Sequence, residues 1–131
     1  EEDFLQTLDL VTRSRFDNAF VFKYSRRRDT PAAEMPGQLP EEIIEERHAR
    51  LLAAVNEIGA GVYRDCVGRT MQILVTGPSR RNAARLEGRT RCNKIVIFDG
   101  AERHIGQVMD VRIERAGSFT LYGDPAVVNL N

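Results

Sequence analysis

The amino-acid sequence predicts an α+β chain in two parts, a short α/β segment with a long helix followed by a small five-stranded antiparallel β-barrel. Three observations support this prediction. Two stretches repeat apolar residues at helical spacing, one short run is apolar on both faces, and five runs after residue 62 have the pattern of strands. At 131 residues the chain has the length of one domain, or of a small domain with an appendage.

The first predicted elements are a helix at residues 2–13 and a strand at residues 19–23. Apolar residues follow one stripe of the helix, and acidic residues at its start complement the positive end of the helix dipole. The strand is apolar on both faces, which is typical of a parallel α/β sheet, yet this half of the chain offers it no neighbouring strand. We therefore expect residues 1–38 to swap, aggregate or order poorly when nothing covers the strand.

A second helix is predicted at residues 40–58, after a basic loop and a turn that contains Pro36 and Pro40. Its apolar residues recur at spacings of four and three. His48 lies on this seam, which favours a packed histidine over a ligand. The sequence Gly-Ala-Gly at residues 59–61 is expected to end the helix and to act as a hinge.

The barrel is predicted over residues 62–124, with a tail at residues 125–131. Turn sequences rich in glycine separate its strands. The predicted strands are Thr70–Thr76, a weaker run at Arg85–Arg89, Lys94–Phe98, Ile105–Glu114 and Ser118–Tyr122. Five short strands in about 60 residues are typical of a closed or nearly closed barrel of the kind that binds oligonucleotides on one face.

Charge is unevenly distributed along the chain, although 19 bases and 19 acids leave it neutral overall. Residues 80–98 contain six bases and a single acid. Such a cluster is either a binding surface for a polyanion or a solvated hairpin without a ligand, and the charge alone leaves both interpretations open.

Several classes of site and location are excluded or disfavoured by the sequence. No apolar run approaches the roughly 20 residues of a membrane span. Neither a signal peptide nor an initiator Met is present, so we expect a cytoplasmic piece of a longer protein. The two cysteines, Cys66 and Cys92, and the two histidines, His48 and His104, lack the spacing of a metal site or a nucleophile–base pair. We therefore expect no catalytic residue, metal or cofactor in this chain.

Motifs in both halves resemble the radical-SAM methylthiotransferase family and occur in the family's order. The first set resembles the end of the radical-SAM domain: Tyr24-Ser25, Arg27, Thr30–Ala33, Pro40-Glu41-Glu42, Arg47 and Leu51. The second set resembles the TRAM domain: Gly88-Arg89-Thr90, Asn93-Lys94, Ile105-Gly106-Gln107 and Ser118–Gly123. The resemblance covers essentially the whole chain. It implies that residues 1–58 are the C-terminal remnant of a radical-SAM partial barrel and that residues 62–124 are an OB-like TRAM barrel.

Within this family the motifs are most similar to the MiaB type, which adds a methylthio group to isopentenyl-adenosine next to the tRNA anticodon. The resemblance implies a parent enzyme with two 4Fe-4S clusters and S-adenosylmethionine. It also implies that the missing N-terminal and radical-SAM domains are partners of this chain. A cluster needs three or four thiolates, and neither cysteine matches the family's cluster motifs. We therefore expect this fragment to be inactive alone.

The resemblance also implies a candidate substrate or cofactor loop, formed by Tyr24, Ser25, Arg27 and Thr30. The family usually has glycine where this chain has Asp29. Aspartate adopts a positive φ more readily than most residues but less readily than glycine, which weakens the assignment of substrate or cofactor contacts to this loop. A solvated surface loop is the alternative.

The implied partner is the anticodon stem-loop of a tRNA. The alternative is a structural or interaction module of a sibling methylthiotransferase, which modifies either a basic ribosomal protein or threonylcarbamoyl-adenosine in tRNA. A cationic face would repel a basic protein and attract a phosphate backbone, which favours RNA. Neither DNA nor a membrane is expected as a partner.

Eight residues of the predicted barrel are assigned to RNA binding. The predicted phosphate contacts are Arg80, Arg81, Arg85, Arg89 and Lys94. Thr90 and Asn93 either donate to sugars or base edges or stabilise the turn before the next strand. Tyr122 is predicted to stack on a base and Phe119 to lie in the core, whereas a bulge at Gly117 would reverse that assignment.

Overall fold

The structure is a computed structural model that describes residues 1–125. The chain divides into two units, the first of which ends at Ile58. The first contains a helix, a long connection and most of a second helix, and the second contains a closed barrel. No helix in the described range is both long enough and apolar enough to cross a membrane.

The first unit begins with helix α1, which spans Glu2–Ser14 and ends where Arg15 adopts a left-handed φ of 49°. The ring of Phe4 on α1 lies beneath two guanidinium groups, with 5.7 Å from its centroid to Cζ of Arg47 and 4.9 Å to Cζ of Arg50. Both arginines belong to the second helix. Cation–π contacts therefore join the two helices of this unit.

The connection between the helices contains no strand, so the strand predicted at residues 19–23 is not formed. Phe20 and Phe22 are 84% and 83% exposed and stack on each other, with ring centroids 6.3 Å apart. A strand needs a neighbour to satisfy its backbone hydrogen bonds, and residues 1–125 provide none here. Whether residues 1–38 swap or order poorly stays a prediction.

Helix α2 spans Glu41–Arg64. The predicted helix end at residue 58 is therefore wrong, and residues 59–61 are helical rather than a hinge. Glycine lowers the stability of a helix interior by about 1 kcal/mol relative to alanine but does not forbid it. The tertiary contacts of the last turn, described below, outweigh that cost.

Up to residue 125, the second unit contains five strands, in the order and number predicted. They are β1 at Thr70–Pro78, β2 at Leu86–Thr90, β3 at Ile95–Phe98, β4 at Val108–Ala116 and β5 at Thr120–Pro125. A short 3₁₀ turn at Glu102–His104 precedes β4, which begins at Val108 and not at Ile105 as predicted. Pro125, the first residue of the predicted tail, belongs to β5, and the rest of that tail, residues 126–131, lies outside the described range.

The strands close a barrel in the order β1-β2-β3-β5-β4, and β4 pairs back with β1. The predicted five-stranded barrel is confirmed. One detail is wrong, because β3 and β5 run parallel, with Ile95 opposite Thr120 and Phe98 opposite Gly123. After β3 the chain crosses the barrel to form β4 beside β1. It then returns as β5, which runs in the same direction as β3. No local sequence pattern predicts this parallel pairing.

Alternate side chains from the strands fill the barrel. The most deeply buried are Ile73, Val75, Val96, Phe98, Val111, Ile113 and Leu121. Tyr63, in the last turn of α2, and Cys66, just after it, belong to the same core. Burying a large apolar side chain contributes about 1.5–3 kcal/mol, so the end of α2 is part of what stabilises the barrel.

Two strand glycines allow the closely paired strands of the barrel to approach. A Cβ on Gly88 of β2 would lie 2.7 Å from the carbonyl oxygen of Leu74 and 2.9 Å from Cδ1 of Ile73. A Cβ on Gly123 of β5 would overlap the carbonyl oxygen of Arg112. Backbone atoms cannot move aside as a flexible side chain can, so both positions require glycine.

We expect Gly88→Ala to destabilise the barrel by about 1–3 kcal/mol, because the added methyl overlaps backbone and core. The melting temperature should fall by roughly 4–20 °C in thermal unfolding followed by circular dichroism. Gly117→Ala is the matched control, since a Cβ there meets its nearest atoms at 3.4 and 3.5 Å, which are ordinary contacts. Equal melting temperatures for the two variants would contradict this account of the barrel.

Candidate nucleic-acid interface

The barrel has two ends, and strand β2 divides the predicted basic stretch between them. We call the end formed by residues 79–85 and 99–107 the loop end. We call the end formed by residues 91–94 and 117–119 the hairpin end. The five residues of β2 rise about 3.3 Å each, so they separate the two groups of basic residues by roughly 15 Å. The predicted continuous basic face is therefore two surfaces.

The loop end carries three of the predicted phosphate contacts. Arg85 Nε donates to Asp99 Oδ1 at 3.0 Å, so part of its charge is compensated. Arg80 and Arg81 are exposed, and neither side chain forms an ion pair or hydrogen bond with the described residues. These two arginines are thus available to an external anion.

The hairpin end begins with a tight turn that holds Thr90 and Asn93. Asn93 adopts a left-handed φ of 65°, and its amide donates to the Thr90 carbonyl at 2.9 Å. The buried Thr90 Oγ1 accepts from the Lys94 amide at 2.9 Å. The structure thus favours the turn-stabilising role for Thr90 over the RNA-contact role. Asn93 is exposed and can reach a ligand as well as shape the turn.

Lys94 is not placed as the sequence predicted. Its residue is only 4% exposed. Its Nζ donates to Cys92 Sγ at 3.2 Å and lies 5.5 Å from the centroid of the Tyr63 ring. This burial and these contacts disfavour a direct contact of Lys94 with a phosphate, and the RNA role of Lys94 stays a prediction. The burial of Lys94 was not predicted from the sequence because lysine is seldom buried.

Two arginines flank an open groove on the outer surface of the barrel. The groove has a volume of about 240 Å³ and is lined by Gln72, Leu74, Arg89, Thr90, Arg91 and Val108. Arg89 donates to the Asn93 carbonyl at 3.3 Å, and Arg91 Nε donates to Gln72 Oε1 at 3.2 Å. Both side chains remain exposed, as the predicted phosphate role of Arg89 requires.

The two aromatic residues near β5 are placed differently from the prediction. Phe119 is 55% exposed, so its predicted core position is wrong. The reason is that β5 begins only at Thr120, and Phe119 lies in the preceding turn, where strand alternation does not apply. Tyr122 is half-buried, and the Cζ of Arg115 lies 3.8 Å from its ring centroid. One face of Tyr122 is therefore already occupied by a guanidinium group.

Three exposed residues at or next to the hairpin end were not in the predicted RNA-binding set. They are Arg91, Arg115 and Phe119. The turn signal at Ala116-Gly117 is the local pattern that could have placed Phe119 before the strand. No local signal indicated that Arg115 stacks on Tyr122, since the two lie on different strands.

The candidate substrate or cofactor loop lies in the first unit. Tyr24 and Ser25 line a cavity of about 720 Å³ together with Lys23 and His48. His48 Nε2 lies 3.1 Å from the Val21 carbonyl oxygen, which agrees with a packed histidine. Hydrogen bonds to Glu45 and Glu41 raise the pKa of Lys23. The cavity is thus bordered by a lysine that stays protonated.

The other two residues of that loop shape the backbone. Thr30 Oγ1 donates to the Arg27 carbonyl at 2.7 Å and caps the following 3₁₀ turn by accepting from the Ala33 amide. Asp29 has a φ of 62°, in the left-handed region that favours glycine. The position at which the sequence lacks the usual glycine therefore keeps the conformation that glycine would adopt.

The described residues provide no set of ligands for a metal. No group of three His, Cys, Asp or Glu side chains within residues 1–125 could hold an ion. Cys66 is buried in the barrel core, whereas Cys92 lies in the exposed turn of the hairpin end. Two cysteines in such different positions do not fit a 4Fe-4S cluster, which needs three or four thiolates.

Comparison with known proteins gives a consistent result for the barrel and for the chain as a whole. Residues 64–126 match the family described as the TRAM domain. The chain is 52% identical over 125 residues to a tRNA-2-methylthio-N(6)-dimethylallyladenosine synthase of Akkermansia muciniphila, a match that covers 95% of this chain and 27% of the relative.

Other relatives of that name are similar over the same extent. The synthase of Moorella thermoacetica is 48% identical over 124 residues, covering 95% of this chain and 28% of the relative. The synthase of Methylacidiphilum infernorum is 44% identical over 131 residues, covering 100% of this chain and 28% of the relative. The chain thus spans little more than a quarter of the length of these relatives.

We expect Thr90→Val to lower the free energy of unfolding by about 1–3 kcal/mol, because it removes the buried hydroxyl that accepts from the Lys94 amide. Thr90→Ser keeps the hydroxyl and should cost less. Urea denaturation of the two variants measures the difference. If Thr90→Val instead weakened RNA binding with no loss of stability, Thr90 would be an RNA contact after all.

Proposed function

We propose that this chain is the tRNA-binding C-terminal part of a longer methylthiotransferase, because residues 64–126 match the family described as the TRAM domain. The longer enzyme adds a methylthio group to isopentenyl-adenosine next to the anticodon. The main support is the similarity of 95% of the chain, at 52% identity, to an enzyme named for the corresponding 2-methylthio product. The relatives described above carry the same name, which favours this substrate over those of the sibling enzymes.

In this proposal the first unit is the end of the radical-SAM domain, and the catalytic machinery lies elsewhere in the longer protein. The two 4Fe-4S clusters and S-adenosylmethionine are bound outside the described residues, since Cys66 and Cys92 do not fit a cluster. The chain alone is inactive, and the enzyme works in the cytoplasm. The exposed rings of Phe20 and Phe22 are consistent with a segment that pairs with the missing domains.

The barrel's contribution is to hold the anticodon stem-loop by its backbone. Exposed arginines donate to phosphates, which positions RNA without reading its sequence. Arg80, Arg81 and Arg89 retain this role, and Asn93 is exposed enough to donate to a sugar or base edge. Arg85 shares its guanidinium with Asp99 and contributes less. Specificity for the modified adenosine belongs to the missing domains.

The expected affinity of the chain alone is low. Residues 61–131 carry eleven bases and seven acids, a modest excess of positive charge. We expect a Kd of about 10⁻⁴–10⁻⁶ M, the range of non-specific contacts at physiological salt. Affinity should fall as salt rises, because each neutralised phosphate releases condensed counterions.

Fluorescence anisotropy of the 131-residue chain with a labelled anticodon stem-loop at several salt concentrations tests this proposal. With two to four phosphates engaged, the slope of log affinity against log salt should be about −1.4 to −2.8. A DNA hairpin of the same sequence is the control for RNA preference and should bind more weakly. Absence of binding at low salt, or binding that ignores salt, would contradict the proposal.

A further inference from the structure

The fold brings two separate turns together at the hairpin end. The turn at residues 91–94 precedes β3, and the turn at residues 117–119 precedes β5. These two strands are parallel neighbours in which Ile95 lies opposite Thr120. The residues just before them therefore emerge side by side from the barrel, although they are far apart in sequence.

The second turn displays an aromatic side chain. The amide of Gly117 donates to the Thr120 carbonyl at 2.7 Å, which closes the turn tightly around Ser118 and Phe119. Phe119 remains 55% exposed and is outside the core cluster. A single exposed apolar residue is ordinary in a protein surface, so its significance depends on its surroundings.

The surroundings of Phe119 are basic. The formal charge of the turns, each taken with the two residues on either side, differs between the two ends of the barrel. At the hairpin end, residues 89–96 and 115–121 contain four bases and no acid. At the loop end, residues 77–87 and 97–109 contain four bases and three acids, and Arg85 is paired with Asp99. The stronger positive field therefore belongs to the hairpin end.

Two of these bases are held in geometries that suit RNA. The Cζ of Arg115 lies 3.8 Å from the ring centroid of Tyr122, which holds the guanidinium against the ring while the residue stays exposed. A guanidinium held in this way keeps its outer donors for a phosphate or its outer face for a base. Arg91 is anchored through Nε to Gln72 at 3.2 Å, which leaves its terminal nitrogens for a second phosphate.

We propose that the hairpin end is the main RNA contact of the barrel, with an unpaired loop base stacked on Phe119 and adjacent phosphates bound by Arg91 and Arg115. This assignment rests on the proposed tRNA-binding function and changes where on the barrel it is carried out. It also replaces Tyr122 by Phe119 as the stacking residue. Stacking between bases and aromatic side chains, combined with a basic surface, is how sequence-tolerant binders hold single-stranded RNA.

Phe119→Leu tests the stacking contact, since leucine keeps the apolar bulk but has no aromatic ring. We expect affinity for the anticodon stem-loop to fall by about five- to a hundredfold. Phe119→Trp should restore it. The matched control is Phe20→Leu, the same substitution at a residue that is 84% exposed in the first unit, and it should leave affinity unchanged.

The arginines are tested by comparing two double variants that remove the same charge. We expect R91A/R115A to reduce the salt slope by about 1.4, corresponding to two single-strand phosphates, and to lower affinity more than R80A/R81A does. Arg103→Ala, a single charge lost at the loop end, is the control for the general field. A perfect RNA duplex, which offers no unpaired base, should bind the wild type and Phe119→Leu equally.

The outcomes separate two kinds of failure. If the wild-type chain does not bind the stem-loop, the proposed function itself fails. If it binds, but Phe119→Leu has no effect or R80A/R81A costs at least as much as R91A/R115A, the hairpin-end assignment is overturned. Amide chemical-shift changes on RNA titration give an independent check. They should concentrate at residues 91–94 and 115–120, and a concentration at residues 79–85 would overturn the assignment.

Discussion

Closure of the barrel is the constraint on which the rest of the second unit depends. Each of the five strands has two neighbours, so none is left with an unpaired edge. Closure requires close approach of the backbones, which Gly88 and Gly123 permit because they have no side chain. It also sets which turns share an end. The parallel pairing of β3 with β5 places residues 91–94 beside residues 117–119, and a sheet of the same strands in another order would separate them.

The same closure decides which basic residues face water. Lys94 lies just before β3, beside Tyr63 of α2, and its side chain is buried there. Arg89 and Arg91 lie on β2 and its turn, where the outer surface is open. Residues that are close in sequence and chemically alike thus differ in exposure, because a strand directs successive side chains to opposite faces and a turn interrupts that alternation.

Local sequence patterns predicted most of the helices and strands, but few of the contacts between residues that are distant in sequence. The helices and five strands followed from apolar periodicity and glycine turns, since these signals act within a few residues. The parallel pair, the burial of Lys94 and the contact between Arg115 and Tyr122 depend on residues distant in sequence, which a single sequence does not reveal. The run at residues 19–23 had the composition of a strand, but a strand forms only beside a partner. The left-handed φ of Asp29 was not predicted, because the replacement of the usual glycine was used only to weaken the assignment of contacts to the loop.

Because α2 contributes to the barrel core, the part of the chain that matches the TRAM-domain family is shorter than the part that folds as the barrel. The family match begins at residue 64, one position after Tyr63, whose ring is part of the barrel core. A transplant or recombination that joined new sequence at residue 64 would carry every strand and still leave a tyrosine-sized void at one end of the barrel. Any exchange that keeps the barrel core intact therefore has to include the end of the preceding helix, so the part that folds as a unit extends upstream of the strands.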